Sequence, residues 1–159
     1  MIKIKCTTGK NVEIPEDSLV SADLSNLDLH RAELGKQSLC GATLDAANLR
    51  SAWLESADLS KASLIGTALM AADLRTAKLT DAKLTNARLN AADLRGANLA
   101  GADLQDADVG GANMENSNLR GTNLRCRRLD LAKLTGAIAD KTTIWPEGFD
   151  PEAVGVLLL

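Results

Sequence analysis

Leucine recurs every fifth residue along most of this chain. Counting from Leu19 in steps of five reaches Leu134 without an insertion, giving 24 repeats in which only Val109 and Met114 are not leucine. Two places before each of these stands Ala, Ser or Thr in 20 of the 24, the exceptions being Asp17, Leu27, Gln37 and Arg127. The remaining positions hold Asp, Asn, Lys, Arg, Ser, Thr and Gly. On a continuous helix, leucines five apart would turn by roughly 140° net per step and bury nothing. In a flat strand an odd period puts successive leucines on opposite faces. The chain must therefore bend once per repeat, each bend enclosing a short extended segment whose leucine and preceding small residue point inward together. The words "AADLR" at 71–75 and again at 91–95 suggest that four such sides make one coil of 20 residues.

These words carry a resemblance. "ADLSN", "ANLRS", "ADLSK", "ADLRG", "ANLAG" and "ADLQD" follow the A(D/N)LXX pattern and resemble the pentapeptide-repeat proteins over residues 17–136. The resemblance implies an all-β fold: a right-handed, four-sided parallel β-helix with five residues to a side. A left-handed solenoid would need a period of six, and leucine-rich repeats need unequal leucine spacings. Six coils at a strand spacing of about 4.8 Å make a rod about 29 Å long. Its ends would expose raw sheet edges, which need covering.

Residues 1–16 offer one cover, since "IKIKC" and "NVEI" flank "TTGK" in the manner of a hairpin turning at Gly9, with Val12 and Ile14 already in the leucine phase. Residues 137–159 offer the other. There Asp150 and Pro151 predict the N-cap and first residue of a short helix, which Gly155 keeps brief. Trp145 and Phe149 hold most of the chain's aromatic surface and are expected to lie over the last coil. "WPEGFDP" resembles the closing segment of cyanobacterial and plant members of the family. The tail "AVGVLLL" is read as a cover for the last coil, leaving a monomer, with a C-terminal dimer as the alternative.

Composition narrows the function. Hydrophobic residues make up 45% of the 159, yet there is no Tyr, one Phe and two Trp, so the core must be narrow. A net charge of −3 is too mild to point to nucleic acid, and no direct nucleic-acid binding is expected. No apolar run is long enough to span a membrane. The opening residues lack the apolar stretch of a signal peptide, and Cys6, Cys40 and Cys126 show neither a disulfide framework nor metal-ligand spacing. They are read as free thiols in a reducing cytoplasm. No catalytic, cofactor-binding or metal-binding residues are assigned, and no cofactor is expected. The only histidine, His30, falls on an outer face with no cysteine expected beside it, and no triad or ligand set forms around it.

The outer faces are mixed. The side through Leu24 and Leu44 carries Asp23, Asp45, Asp103 and Asp106 against Lys83 and Arg125. The side through Leu29 and Leu49 carries Arg31, Arg50, Arg88 and Arg128 against Asp28, Asp108 and Asp130. Arg127 occupies an inward place where burying its charge would be costly, so a local distortion is expected there. Trp53, Ile65 and Met70 are apolar at outward places on three different sides. With Arg31, Arg50 and Arg88 they are the candidate contacts for a protein partner.

The function read from this is a non-catalytic, rigid interaction or scaffold module. The alternative is a DNA mimic acting on DNA gyrase, as the resemblance to the quinolone-resistance members implies. Those look strongly acidic along the rod, whereas residues 17–136 here hold 15 acidic and 14 basic residues. DNA carries a charge about every 1.7 Å, and no face of this chain approaches that density.

Overall fold

The computed structural model describes all of residues 1–159 and shows the predicted coil. Parallel bridges join each residue before an inward side chain to its counterpart 20 places on, from Asp23↔Thr43 to Asn118↔Ile138 with one exception. They form four separate ladders, one per side. Leu24 to Leu124 and the alanines paired with them are buried, most of them completely. At the alanine places, Thr67, Ser117 and Thr122 are equally buried, and each hydroxyl donates to a backbone carbonyl at 2.7–2.8 Å.

One side accounts for all its backbone donors. At Leu99, Asn98 N–H donates down to Ala77 O, while Leu99 and Gly101 N–H donate up to Asn118 and Arg120 O. Ala97 N–H closes the corner onto Leu94 O. Ala100 N–H is left over, and the Asn98 side chain accepts it at 3.2 Å. This explains why Asp or Asn so often precedes the leucine: its oxygen serves the one donor that the coil cannot. From Leu19 to Leu119 the residue two after each inward-facing side chain has positive φ, as the third position of a type II turn requires. Glycine takes that place at Gly96 and Gly101, but Ala46, Ala71 and Ala91 take it too, with φ of 55–56°.

The ladder is irregular at both ends. Ser18 makes no bridge, so the first side splays and Gln37 above it is exposed; Leu27, at an alanine place on another side, is half-buried. β1 (Ile2–Ile4) and β2 (Val12–Ile14) form the antiparallel hairpin, whose Gly9 has φ of 87°. The hairpin does more than precede the coil. Lys5 to Thr7 run antiparallel to Arg31–Glu33, with Cys6 opposite Ala32.

At Arg127 the expected distortion appears as a register slip. Arg127 bridges Asp108 at a spacing of 19, which turns Arg127 outward and leaves Cys126 against the core in its place. A 3-10 turn at Leu129–Leu131 restores the register at Lys133. Burial holds the Cys126 thiol up to about 12.

A second shift, of one extra residue, pairs Ile144 with Asn123. It puts Thr143 in an alanine place and Trp145 in a leucine place. Trp145 stacks on Phe149 with ring centroids 5.4 Å apart, and both pack against the core. The expected C-terminal helix is a single 3-10 turn, Glu152–Val154, because Gly155 at φ 84° stops it at once. Asp150 accepts the N–H groups of Glu152 and Ala153. The chain then adds one more rung to the ladder of Asn118 and Ile138: β4 (Leu157–Leu158) pairs in parallel with β3 (Ile138–Ala139), and Val156 is buried.

Two outcomes follow for stability in chemical denaturation. Leu84→Ala should cost about 2–5 kcal/mol, whereas the same change at the exposed Leu158 should cost far less. Ala71→Gly should raise stability by roughly 0.5–1 kcal/mol, because glycine adopts the positive φ without strain.

Candidate functional site

The residues flanking a leucine at one place before and one place after both face outward, so they meet across it. On the side through Leu54, Leu74 and Leu94, this geometry turns "DLR" into a clamp. Arg75 donates Nε to Asp73 Oδ1 at 2.8 Å and Nη2 to Asp73 Oδ2 at 2.7 Å. Arg95 grips Asp93 in the same way at 2.9 and 2.6 Å. Arg75 also lies 3.6 Å from Glu55 and 3.9 Å from Asp93, linking three coils. Hydrogen bonds from these arginines hold the Asp73 and Asp93 carboxyls below the usual range, and the facing carboxylates hold both guanidinium groups more firmly protonated.

Below this network the same side opens into a groove of about 530 Å³. Trp53 forms its wall, on a rung between Glu33 and Asp73. The next column runs Gly35, Glu55, Arg75, and the missing side chain at Gly35 makes the hollow. Lys36 and the exposed Gln37 complete the floor, and Trp53 is 54% exposed. Glu33 and Lys36 form no ion pair, whereas Asp73 and Glu55 share Arg75.

The other candidates lie elsewhere. Ile65 is exposed on the side through Leu64, and its N–H donates to Asp45 at 2.9 Å. Met70, expected to stand out, is half-buried on the side through Leu69. Arg31, Arg50 and Arg88 share that side with it, and none has an ion-pair partner. Their neighbour Arg128 does pair with Asp108, and its guanidinium lies across Gly110, where a Cβ would come within 2.8 Å of Nε. Trp53, Ile65 and Met70 therefore do not converge.

His30 lines a small hollow with Lys10, Asn11 and Asp28. The hairpin folds back across the first coil, with Cys6 opposite Ala32, and brings Thr8, Lys10 and Asn11 to the His30 hollow. No three His, Cys, Asp or Glu side chains converge closely enough to hold a metal ion, and no helix is long and apolar enough to cross a membrane. The charged groups that surround Trp53 were missed as site residues. The signal was there in "ADLR" and in Gly35, but it appears only when repeats are stacked 20 apart.

The family profile for pentapeptide repeats matches the chain in overlapping stretches at residues 22–60, 41–75, 77–116 and 97–138. Among solved structures, Rfr23, a pentapeptide-repeat protein from the cyanobacterium Cyanothece 51142, is 40% identical with a TM-score of 0.58. That match covers 61% of this chain and 66% of Rfr23, just under two thirds of its length. HetL from the cyanobacterium Nostoc, a pentapeptide-repeat protein involved in heterocyst differentiation regulation, is 31% identical with a TM-score of 0.63, over 77% of this chain and 69% of HetL. A trypsin-treated form of QnrB1, a plasmid-mediated fluoroquinolone resistance protein, matches at 21% identity over 89% of both chains, with a TM-score of 0.49. No curated protein matches the chain's sequence.

The lowered Asp carboxyls predict an acid limb of stability. Asp58, Asp73 and Asp93 have folded pKa values below the unfolded value of about 3.9, so their contribution is full above that pH and is lost as the pH falls through the folded values. The denaturation midpoint should stay level from neutrality down to about pH 5 and fall below about pH 4. The double variant Asp73→Asn, Asp93→Asn should show a shallower fall.

Proposed function

The chain belongs to the pentapeptide-repeat family, a family of right-handed β-helices, and from that premise we propose that it is a non-catalytic, rigid module that binds another protein. The observation that carries this reading is the division of labour within each repeat. Leucine and the small residue hold the core, the Asp or Asn oxygen serves the spare N–H, and the other outward side chains are free to vary. In this reading residues 17–136 form about six coils, with residues 1–16 and 137–159 covering the two ends. Trp145 and Phe149 act as the plug at the second end. The free thiols fit a reducing cytoplasm.

Trp53 is the foremost contact, since exposed tryptophan is a favoured interface anchor. Ile65, Met70 and the unpaired Arg31, Arg50 and Arg88 offer separate sides for further contacts. The gyrase-directed reading has weaker support. Several carboxylates along the rod are neutralised by an arginine two residues on in the same repeat, as Asp73 and Asp93 are, or by one on the next coil, as Asp108 is by Arg128. They do not present the unbroken negative charge of DNA.

Affinity capture from host cells, with bound proteins identified by mass spectrometry, tests the proposal. A specific partner should be retained by the wild type and lost either with Trp53→Ala or with Arg31, Arg50 and Arg88 changed together to Ala. An identical set of proteins from all three forms would defeat the reading. A supercoiling assay with fluoroquinolone separates the alternative, because protection of gyrase at sub-stoichiometric protein would put that reading first.

A further inference from the structure

We propose that the groove beside Trp53 receives an arginine side chain from an extended segment of the partner protein, a refinement that rests on the interaction-module reading above. Three features of the groove converge on a guanidinium. Trp53 is the best aromatic platform for a cation, and its ring stands open to solvent. The rung directly below it carries the carboxylate of Glu33, which borders the ring, while Asp73 on the rung above is clamped by Arg75. The groove as a whole has a volume of about 530 Å³, and the absent side chain at Gly35 leaves room in it for a long side chain laid flat against the indole.

The charges also specify which carboxylate would do the binding. Asp73 is already held at both oxygens by Arg75, and Glu55 lies 3.6 Å from that same guanidinium. Glu33 has no ionic partner and keeps both oxygens for a planar fork of donors. Lys36, on the same floor, is likewise unpaired. A segment with arginine followed by an acidic residue matches both: the guanidinium on Trp53 and Glu33, the carboxylate on Lys36. Electrostatic complementarity of this sort sets orientation and partner choice more than it sets affinity.

The probe is a blocked Gly-Arg-Asp-Gly peptide, followed by the Trp53 indole N–H signal in NMR, with Trp145 as the internal reference in the packed end of the rod. The Trp53 signal should move and saturate in the millimolar range while Trp145 stays still. Replacing the arginine by citrulline, which keeps shape and removes charge, should weaken binding at least about fivefold. Glu33→Gln should weaken it at least about threefold; with binding read instead from the backbone amide signals of Gly35 and Lys36, Trp53→Phe should bind measurably while Trp53→Ala does not, all with unchanged circular dichroism. Equal binding of the citrulline peptide, or no movement of Trp53 with the arginine peptide, overturns the assignment. So does a Trp53 signal that moves with protein concentration alone, which identifies a second copy as the occupant. If the peptide fails but capture still yields a partner lost with the Arg31, Arg50 and Arg88 variant, the interaction reading stands and only this groove is excluded.

Discussion

The turn that closes each side is the constraint on which everything else depends. A corner every five residues needs positive φ at the second residue after the leucine, and it leaves the N–H of the first without a backbone partner. The chain meets the first need at a run of non-glycine residues, Ser21, Asn26, Arg31 and Ala71 among them, each at φ between 50 and 60°. That strain recurs at nearly every corner and must be offset by something equally repetitive. The offset is the inter-coil ladder, with N–H···O distances near 2.7–3.0 Å at three donors per side, together with completely buried leucines stacked one per side in each coil. Neither the strain nor its compensation is local to a site, so single repeats can vary outside while the rod persists.

Stacking at strand spacing also governs the surface. Residues 20 apart are neighbours, which puts Asp73 directly against Asp93 on one ladder. Left alone, that pair would repel. Arginine two places after each aspartate answers the repulsion within the repeat, and Arg75 reaches the neighbouring coil as well. The same rule makes hydrogen-bonded ladders of Asn48 on Asp28 and Asn123 on Asp103, at 2.8 and 2.9 Å. Polar columns are thus satisfied along the rod, and a column that breaks the pattern stands out.

The repeat made the core, the coil length and the composition of each side legible in the sequence, because all three follow from a fixed period. Arg127 was legible as a fault, since an arginine cannot sit in an alanine-lined interior. The remedy was not legible: sliding the register by one residue so that Cys126 enters the core and a 3-10 turn recovers the phase. Either a slip or a bulge would have moved that charge outward. The extra residue before Trp145 escaped notice for the same reason, as the leucine pattern had already faded. The hairpin's pairing with Arg31–Glu33, and its approach to His30, depend on how the first side splays, which no period encodes. Around Trp53 the exposed indole was legible, but its ionic surroundings were not, because they come from three different repeats.

The groove beside Trp53 shows how the surface of a solenoid can depart from the repeat while its core keeps it. Trp53 occupies the place where Asp or Asn usually serves the spare N–H, and in this repeat that donor belongs to Glu55. The substitution removes a side-chain acceptor and introduces an apolar ring where the column above it is held by arginine clamps. Gly35, one coil below Glu55, leaves the ring uncovered, and the splayed first side exposes Gln37 beside it. Three departures from the repeat meet at one corner, near the end of the rod where the ladder has least to lose. The leucines beneath, Leu34 and Leu54, remain buried throughout. The surface departs from the repeat at this corner while the core that carries the fold is left as it is in every other coil.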